Sequence, residues 1–326
     1  MKFLLSILFL MISLYGITYS QERIYKELNY KIISDDMLSD INVFRPNLLD
    51  INKNNEIVFF DFIDFKIVKK DIIGQEYKFF GDGRGRGPKE FEMVFDLKVL
   101  DNGEIFLVDS DKRKIIKWDT KGEYLGEMES GGKRVSPARM AVCESSDVIY
   151  ILSSQFSRKG IMHQVNKKGD LMLSFEKKKN FEKSLPFYTD GELDCGSDGS
   201  LFYASRYVNS IKKYDKFGSL VFDIPVIDFL ANEKIVERND NFFDLVKGVK
   251  RASGDVIHFD DKLYVAFSGQ ENELLSVIDV YSGQNGKYEH SFKLPFSFQE
   301  VAMNARYIIV LREGENGENY LTTLEY

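Results

Sequence analysis

A short apolar strand recurs along the whole chain, and this repeat restricts the fold more than any other feature. The six copies begin at Ile57, Ile105, Ile149, Leu201, Leu263 and Tyr307. The intervals between these residues are 48, 44, 52, 62 and 44. A repeat at such a period is the sequence signature of solenoids, propellers and related repeat architectures.

The same strand and turn signals surround each apolar strand. Apolar residues six and, in most units, eight positions upstream predict a half-buried strand that precedes it. Downstream, Asp or Asn followed three residues later by Gly is typical of a tight hairpin turn. This turn signal occurs at Asp71 and Gly74, Asp119 and Gly122, Asn166 and Gly169, and Asp215 and Gly218, with a looser form at Asp279 and Gly283. The pattern predicts four strands in each unit, which is the architecture of a propeller blade.

The two ends of the chain predict how the ring closes. The sixth unit stops at residues 324–326, where its last hairpin turn should begin, so its fourth strand is missing. Residues 24–32 precede the first unit and alternate like a strand. We therefore predict an all-β, six-bladed β-propeller of four-stranded blades, in which this N-terminal strand completes the last blade and hides the sheet edges. The alternative is an open solenoid, which would need capped ends.

A glycine-rich segment carries a family resemblance. Residues 81–91 read Gly-Asp-Gly-Arg-Gly-Arg-Gly-Pro-Lys-Glu-Phe, and the following blade contains Asp-Asn-Gly-Glu-Ile-Phe-Leu-Val-Asp at 101–109. The chain resembles the NHL-type repeats and the bacterial extracytoplasmic six-bladed β-propeller family. This resemblance implies a fold and a compartment but no reaction, because propellers serve both as enzymes and as binding platforms.

The N-terminus has the pattern of an export signal. Lys2 precedes an apolar run over residues 3–15, and Thr18 and Ser20 supply small residues before a cleavage site. We predict a signal peptide over residues 1–20, a propeller over 21–326, and an exported protein in the periplasm or outside the cell. No second apolar stretch is long enough to cross a membrane. The net charge of −7 argues against nucleic acid as a partner.

Charged residues of the first strands point towards the predicted central channel. These residues are Asp50, Asp96, Lys98, Glu192, Asp194 and Glu300. Carboxylates from several blades could hold calcium through oxygen ligands. A water-filled channel lined with charge is the alternative. We therefore predict no cofactor, with calcium as the alternative.

Three further sets of polar residues are candidate sites. Arg84 and Arg86 in the glycine-rich loop could recognise an anionic group, or they could be solvated loop charges. His163, His258 and His290 fall on different strands, which argues against a three-histidine zinc site, although His258 alone could face the channel. Cys143 and Cys195 occupy equivalent places in adjacent blades. Because stacked sheets lie about 10 Å apart, we expect two buried thiols, with a disulfide possible only near the axis.

The long interval between the fourth and fifth units indicates an insertion at about 225–254. Its last apolar cluster, Phe242 to Val249, has helical spacing, with Asn239 or Asp240 as a possible cap. Crossover loops and loops between second and third strands share one face of a propeller, so the insertion should cover part of that face.

Charge on this face is divided between early and late blades. Basic residues fall on the early blades, at Lys112, Arg113, Lys133, Arg134, Arg139, Arg158, Lys159 and Arg206. Acidic residues fall on the late blades, at Glu271, Glu273, Glu313, Glu315 and Glu318. A face of two signs could orient a charged partner.

The sequence favours a non-catalytic binding platform for a peptide, glycan or protein on the loop-rich face. The alternative is a calcium-dependent hydrolase or lyase with its site in the channel. No nucleophile with a nearby base is identifiable, so no catalytic residue is predicted. The candidate ligand-binding residues are Arg84, Arg86, Asp96, Lys98, Arg139, Asp194 and Glu300.

Overall fold

The fold is a six-bladed β-propeller, as the repeat predicts. The computed structural model describes residues 22–74, 76–132, 135–153, 160–177, 186–229, 231–239, 242–267 and 275–326. These residues form six four-stranded antiparallel sheets and one two-stranded hairpin. Within them, helix is confined to single turns such as Pro186–Thr189, and no helix is long and apolar enough to cross a membrane. The predicted signal peptide lies outside the described residues.

The strands follow the repeat in chain order. Blade 1 contains β2 (Pro46–Ile51), β3 (Glu56–Asp61), β4 (Lys66–Asp71) and β5 (Tyr77–Phe80). Blade 2 contains β6 (Val94–Val99), β7 (Ile105–Asp109), β8 (Lys114–Trp118) and β9 (Tyr124–Glu129). Blade 3 contains β10 (Pro137–Cys143), β11 (Val148–Ser153), β12 (Met162–Asn166) and β13 (Leu171–Phe175).

Blades 4 to 6 repeat this order, apart from the insertion and the ring closure. Blade 4 contains β14 (Gly191–Cys195), β15 (Leu201–Ser205), β16 (Ile211–Tyr214) and β17 (Leu220–Ile224). The insertion contributes β18 (Val236–Asn239) and β19 (Phe242–Leu245). Blade 5 contains β20 (Val256–Phe259), β21 (Lys262–Phe267), β22 (Leu275–Ser282) and β23 (Tyr288–Phe298). Blade 6 contains β24 (Glu300–Met303), β25 (Tyr307–Glu313), β26 (Asn319–Glu325) and β1 (Lys31–Met37).

The recurring apolar strand is the second strand of each blade, and both of its faces are buried. In β3, Ile57 and Phe59 pack against blade 6, whereas Val58 and Phe60 pack against blade 2. A strand between two neighbouring sheets buries both sets of side chains, so it reads as a continuous apolar run. The core is therefore a ring of interfaces between blades.

The N-terminal strand closes the ring, but it lies further along the chain than predicted. β1 covers Lys31–Met37 and pairs with β26, whereas the prediction was 24–32. Polar residues determine the position of this strand. Alternation of apolar residues, on which the predicted range 24–32 depends, does not reveal them. Asp35 accepts a hydrogen bond from Thr322, and Asp36 accepts one from Tyr77 of blade 1.

The segment before β1 lies along blade 5 and is anchored by a buried arginine. The Arg23 side chain is 4% exposed and pairs with Asp279, which is completely buried, at 2.9 Å. Its guanidinium lies 3.8 Å from the centre of the Phe267 ring and also donates to the Ile227 carbonyl. Arg23 thus connects the N-terminal segment, blade 5 and the start of the insertion.

The two cysteines form a disulfide, so the expectation of two buried thiols is wrong. Cys143 ends β10 and Cys195 ends β14, and their Cα atoms are 5.4 Å apart. The inner strands of neighbouring blades converge towards the axis, so the spacing of about 10 Å between stacked sheets does not apply there.

The insertion contains a β-hairpin in the segment where helical spacing suggested a helix. Strands β18 and β19 pair in antiparallel register from Val236 with Leu245 to Asn239 with Phe242. Ile235 and Val236 are buried against Phe187, Tyr207 and Leu245. Leu245 of the cluster with helical spacing, together with Ile235 and Val236, therefore fastens the hairpin to the rim of blade 4.

Removing the disulfide should destabilise the protein without changing its fold. The bond closes a loop between residues 52 apart, for which chain entropy predicts about 4 kcal/mol. We expect Cys143→Ala/Cys195→Ala to lose about 2–4 kcal/mol of unfolding free energy in urea titrations. Dithiothreitol should lower the stability of the wild type to a similar level and leave the variant unchanged. A wild type insensitive to reductant would contradict the disulfide.

Arg23→Met should also destabilise the protein, because it leaves the Asp279 carboxylate buried without a cation. Breaking a buried ion pair in this way costs about 3–5 kcal/mol. The matched control is Arg86→Met, which removes an exposed guanidinium from Glu92 and should have no measurable effect. Equal urea midpoints for the two variants would show that Arg23 is not an anchor.

Candidate functional site

Carboxylates of the inner strands fasten five of the six blade junctions. Each accepts a hydrogen bond from a backbone N–H of the next blade. The pairs are Asp50 with Val99 (2.7 Å), Asp96 with Met140 (2.6 Å), Asp194 with His258 (2.5 Å), Asp255 with Val301 (2.7 Å) and Glu300 with Leu49 (2.7 Å). We call these contacts the carboxylate latches.

The sixth junction, between blades 3 and 4, is built differently. Strand β10 contains no acidic residue, and Val142 stands where Asp50 and Asp194 stand in their blades. The Cys143–Cys195 disulfide crosses this junction. On the same two strands, Arg139 of β10 donates to Glu192 of β14 at 2.8 Å. A covalent bond and an ion pair thus take the place of the missing latch.

Lys98 lies among the latch carboxylates on the inner strand of blade 2. Burial would lower the pKa of its ammonium, but Asp50, Asp96 and Asp194 outweigh burial and raise the pKa. Burial in turn raises the pKa of Asp50 and of Asp96 to about 6, and the charge of Lys98 opposes that rise. One cation therefore balances several half-buried or buried acids.

A second charge cluster neutralises Glu192. This carboxylate accepts hydrogen bonds from both Arg139 and Arg206. Burial raises the pKa of Glu192, but the two guanidinium groups outweigh it and hold the pKa below its usual value. Arg206 also pairs with Asp190 at 3.2 Å. Both arginines are thus ion-paired with carboxylates of this protein.

Asp255 and Glu300 lack such a cation, and we call them the acid pair. Among the residues that the structure describes, neither carboxylate forms an ion pair or a hydrogen bond with a basic side chain. Burial and the charge of Glu300 raise the pKa of Asp255 well above its usual value. Burial likewise raises the pKa of Glu300, although backbone N–H groups oppose the rise.

A large cavity opens at the mouth of the channel, on the face of the crossover loops. Its volume is about 830 Å³, which lies in the range of about 300–1,000 Å³ typical of small-ligand sites. The inner strands and the residue before β20 contribute Asp96, Lys98, Arg139, Glu192, Asp255 and Glu300. The insertion contributes Leu245, Gly248, Val249, Lys250 and Arg251, so it covers part of this face, as its position predicts. We call this space the channel cavity.

A smaller, mainly apolar pocket of about 170 Å³ adjoins the channel cavity. Phe95, Leu152 and Phe187 form its apolar wall. Arg139 lines both spaces, and Asp190 lies at the edge of the smaller one. We call it the side pocket. It offers an apolar surface directly beside the charged cavity.

The structure brings together four of the seven candidate residues. Asp96, Lys98, Arg139 and Glu300 line the channel cavity. Asp194 is a latch residue that does not line it. Arg84 and Arg86 lie elsewhere, where Arg84 stacks over Phe65 and Arg86 pairs with Glu92. The glycine-rich loop therefore presents no pair of free arginines to an anion.

Other predicted polar residues have local partners. His258 does not face the channel, because its ring stacks on Phe202 at 4.4 Å. His163 lies on β12 and His290 on β23, so the histidines do not converge. Among the charges assigned to the loop-rich face, Lys133, Arg134, Arg158, Lys159, Glu271 and Glu273 lie outside the described residues.

Sequence reasoning missed Asp255, Arg45, Lys250 and Arg251 as cavity residues. Asp255 carried a signal, because it stands where four of the six units have an apolar residue. Arg45 and the basic pair of the insertion carried none, because only the folded loops bring them to the channel mouth.

The latch carboxylates do not form an obvious metal centre. One oxygen of each latch carboxylate accepts a hydrogen bond from a backbone N–H. The Lys98 ammonium interacts electrostatically with three of these carboxylates, those of Asp50, Asp96 and Asp194. Within the described ranges, no three His, Cys, Asp or Glu side chains are placed to hold a metal ion together.

Solved structures share this fold at low sequence identity. A candidate exported protein of Bacteroides fragilis matches with a TM-score of 0.60 and 11% identity, over 91% of this chain and 94% of its own. Virginiamycin B lyase from Staphylococcus aureus matches with a TM-score of 0.56 and 12% identity, over 91% and 100%. The calcium-binding protein regucalcin from Agrobacterium tumefaciens matches with a TM-score of 0.52 and 10% identity, over 94% and 95%.

These identities show the fold alone. The chain is similar in architecture to a lyase, a calcium-binding protein and a candidate exported protein, and a shared fold does not by itself imply a shared function. No protein-family model matches the sequence, and no curated protein matches it.

Asp255→Asn should stabilise the protein at alkaline pH. Because the folded pKa of Asp255 is raised, ionisation costs the wild type stability as the pH rises above the unfolded value of about 3.9. The variant escapes this cost, and its amide oxygen can still accept from Val301. We expect the stability difference in urea to be small at pH 4 and to favour the variant at pH 8.

Glu192→Gln is the control of opposite sign. The pKa of Glu192 is lowered, so its ionised form stabilises the fold above the unfolded pKa, and stability is lost as pH falls through the folded pKa. This variant should be less stable than the wild type, most clearly at pH 8. Asp255→Asn behaving like Glu192→Gln would show that Asp255 is favourably ionised.

Proposed function

We propose that the protein is an exported, NHL-like β-propeller that binds a peptide, glycan or protein at the channel cavity without catalysing a reaction. The observation that carries this proposal is the cavity itself. It has the volume of a ligand site, it lies on the loop-rich face, and an insertion particular to one blade junction covers part of it. Loops on a rigid scaffold are common recognition elements.

The disulfide supports export. Disulfides persist in oxidising compartments such as the periplasm and the extracellular space, and they are rare in reducing ones. The bond between Cys143 and Cys195 joins two blades close to the axis, where it stabilises the scaffold. A similar architecture in a candidate exported protein is consistent with this compartment.

The chemistry of the cavity supports binding more than catalysis. The latch carboxylates hold the inner strands together, and Arg139 and Arg206 are bound to Glu192. The described residues that line the cavity include no Ser, Cys or His. A calcium-dependent hydrolase or lyase stays a prediction, without an observation that favours it.

Charge reversal at the rim should abolish binding. Arg45 and Lys250 are exposed and line the cavity from two sides. We expect the mature protein to retain ligands from a synthetic peptide pool or a glycan array. Arg45→Glu/Lys250→Glu should weaken retention at least tenfold. Lys168→Glu, which makes the same change in an exposed hairpin turn outside the cavity, should not.

Calcium titration separates this proposal from the alternative. Calorimetry on dialysed protein should show no stoichiometric calcium binding, and retained ligands should elute chemically unchanged. Stoichiometric calcium together with altered ligand would support the hydrolase or lyase. Equal retention by the rim variant and the control would place binding on another surface.

A further inference from the structure

The acid pair is the part of the cavity whose carboxylates, among the described residues, have no hydrogen bond from a basic side chain; Arg206 acts on them only through its charge. Glu192 has two guanidinium groups, and Asp50, Asp96 and Asp194 share the Lys98 ammonium. Asp255 and Glu300, on adjacent blades, have no basic partner among the described residues, yet both line the cavity.

The carboxylate oxygens of the acid pair can accept further hydrogen bonds. One oxygen of Asp255 accepts the Val301 N–H, and one oxygen of Glu300 accepts the Leu49 N–H. These latches fix the two carboxyl groups in place. A carboxylate offers two oxygens with about four lone pairs, so each group can accept further hydrogen bonds from a donor in the cavity.

Two half-buried acids that interact with each other, without a hydrogen bond from a basic side chain, are a cost to the folded protein. Their mutual repulsion and loss of hydration oppose ionisation and raise the pKa of both carboxyl groups. Acids with raised pKa values occur at ligand-binding sites and also in structural charge clusters. Lys98, Arg139 and Arg206 all lie on the same cavity wall as other acids and are held there by them. Among the described residues, no basic side chain is hydrogen-bonded to the acid pair, which leaves both carboxylates able to pair with a cation supplied by a ligand.

The remaining lining indicates what carries that cation. At the rim, Arg45, Lys250 and Arg251 are exposed and could meet carboxylate or carbonyl oxygens. The side pocket, with Phe95 and Phe187, could take an apolar side chain. Ammonium, apolar side chains and carbonyl oxygens occur together in a peptide. A neutral glycan matches neither the acid pair nor the apolar side pocket.

Building on the function proposed above, we propose that the channel cavity binds a peptide whose ammonium group lies between Asp255 and Glu300. The ammonium replaces the missing cation and donates to the free carboxylate oxygens. It comes either from the amino terminus of the peptide or from a lysine side chain. The rest of the peptide passes beneath the insertion, and an apolar side chain enters the side pocket.

The test uses a pool of random synthetic heptapeptides with free amino termini and an amino-acetylated copy of the same pool. The mature protein selects from each pool, and mass spectrometry identifies the retained peptides. We expect acetylation to reduce retention at least tenfold if the terminus is the source. If lysine is the source, peptides retained from the acetylated pool should all contain lysine.

Protein variants locate the contact. Asp255→Asn/Glu300→Gln keeps an oxygen for each latch and removes both charges, so it should weaken binding of the selected peptides at least tenfold. Asp50→Asn changes a latch outside the cavity and should leave affinity unchanged. Thermal unfolding of each variant shows that the fold is retained. Equal loss in both variants would mean that only the ring geometry matters and would overturn the proposal.

The other outcomes separate this inference from the proposed function. Retention of acetylated peptides without lysine, or of glycans only, would overturn the ammonium contact and leave a binding platform. Stoichiometric calcium that Asp255→Asn/Glu300→Gln abolishes would make the acid pair a metal site and overturn the proposal. Retention from neither peptides nor glycans would count against both.

Discussion

The hydrogen bonds from backbone N–H groups to inner-strand carboxylates hold the ring together at its axis. The inner strands of neighbouring blades belong to different sheets. The N–H groups on the channel-facing edge of each inner strand therefore have no partner strand to bond with. A side-chain carboxylate reaches across and accepts one at five junctions. Buried N–H groups need such partners, and bonds to charged acceptors are stronger than neutral ones. At the sixth junction, a disulfide connects the strands instead.

This solution concentrates negative charge in the channel and decides the character of the cavity. Lys98 and the two arginines beside Glu192 compensate the acids of blades 1 to 4. Asp255 and Glu300, on blades 5 and 6, have only the charge of Arg206 to oppose the rise of their pKa values among the basic side chains described, and no hydrogen bond from a basic side chain. The cavity is thus divided by charge because the innermost cations, Lys98, Arg139 and Arg206, lie beside other acids than this pair. A ligand that supplies a cation would complete a balance that the fold leaves open.

The face that carries the channel cavity depends on elements outside the regular blades. Ile235, Val236 and Leu245 of the insertion pack on the rim of blade 4. Arg23 connects the start of the insertion to blade 5 through Ile227 and Asp279. The N-terminal segment therefore supports both ring closure and the loop that covers the cavity.

The sequence by itself determined the blade number, the strand order and the kind of ring closure, because a strand buried on both faces must be apolar wherever it recurs. It also placed Asp96, Lys98 and Glu300 at the axis by their position in the repeat. Only the tertiary structure decided the disulfide, since the distance between Cys143 and Cys195 depends on how inner strands converge. It likewise decided that the apolar spacing of the insertion makes a hairpin, and that Asp255 lacks a cation. The pairing of charges depends on which side chains of neighbouring blades are in contact. The sequence pattern within one blade does not indicate those contacts.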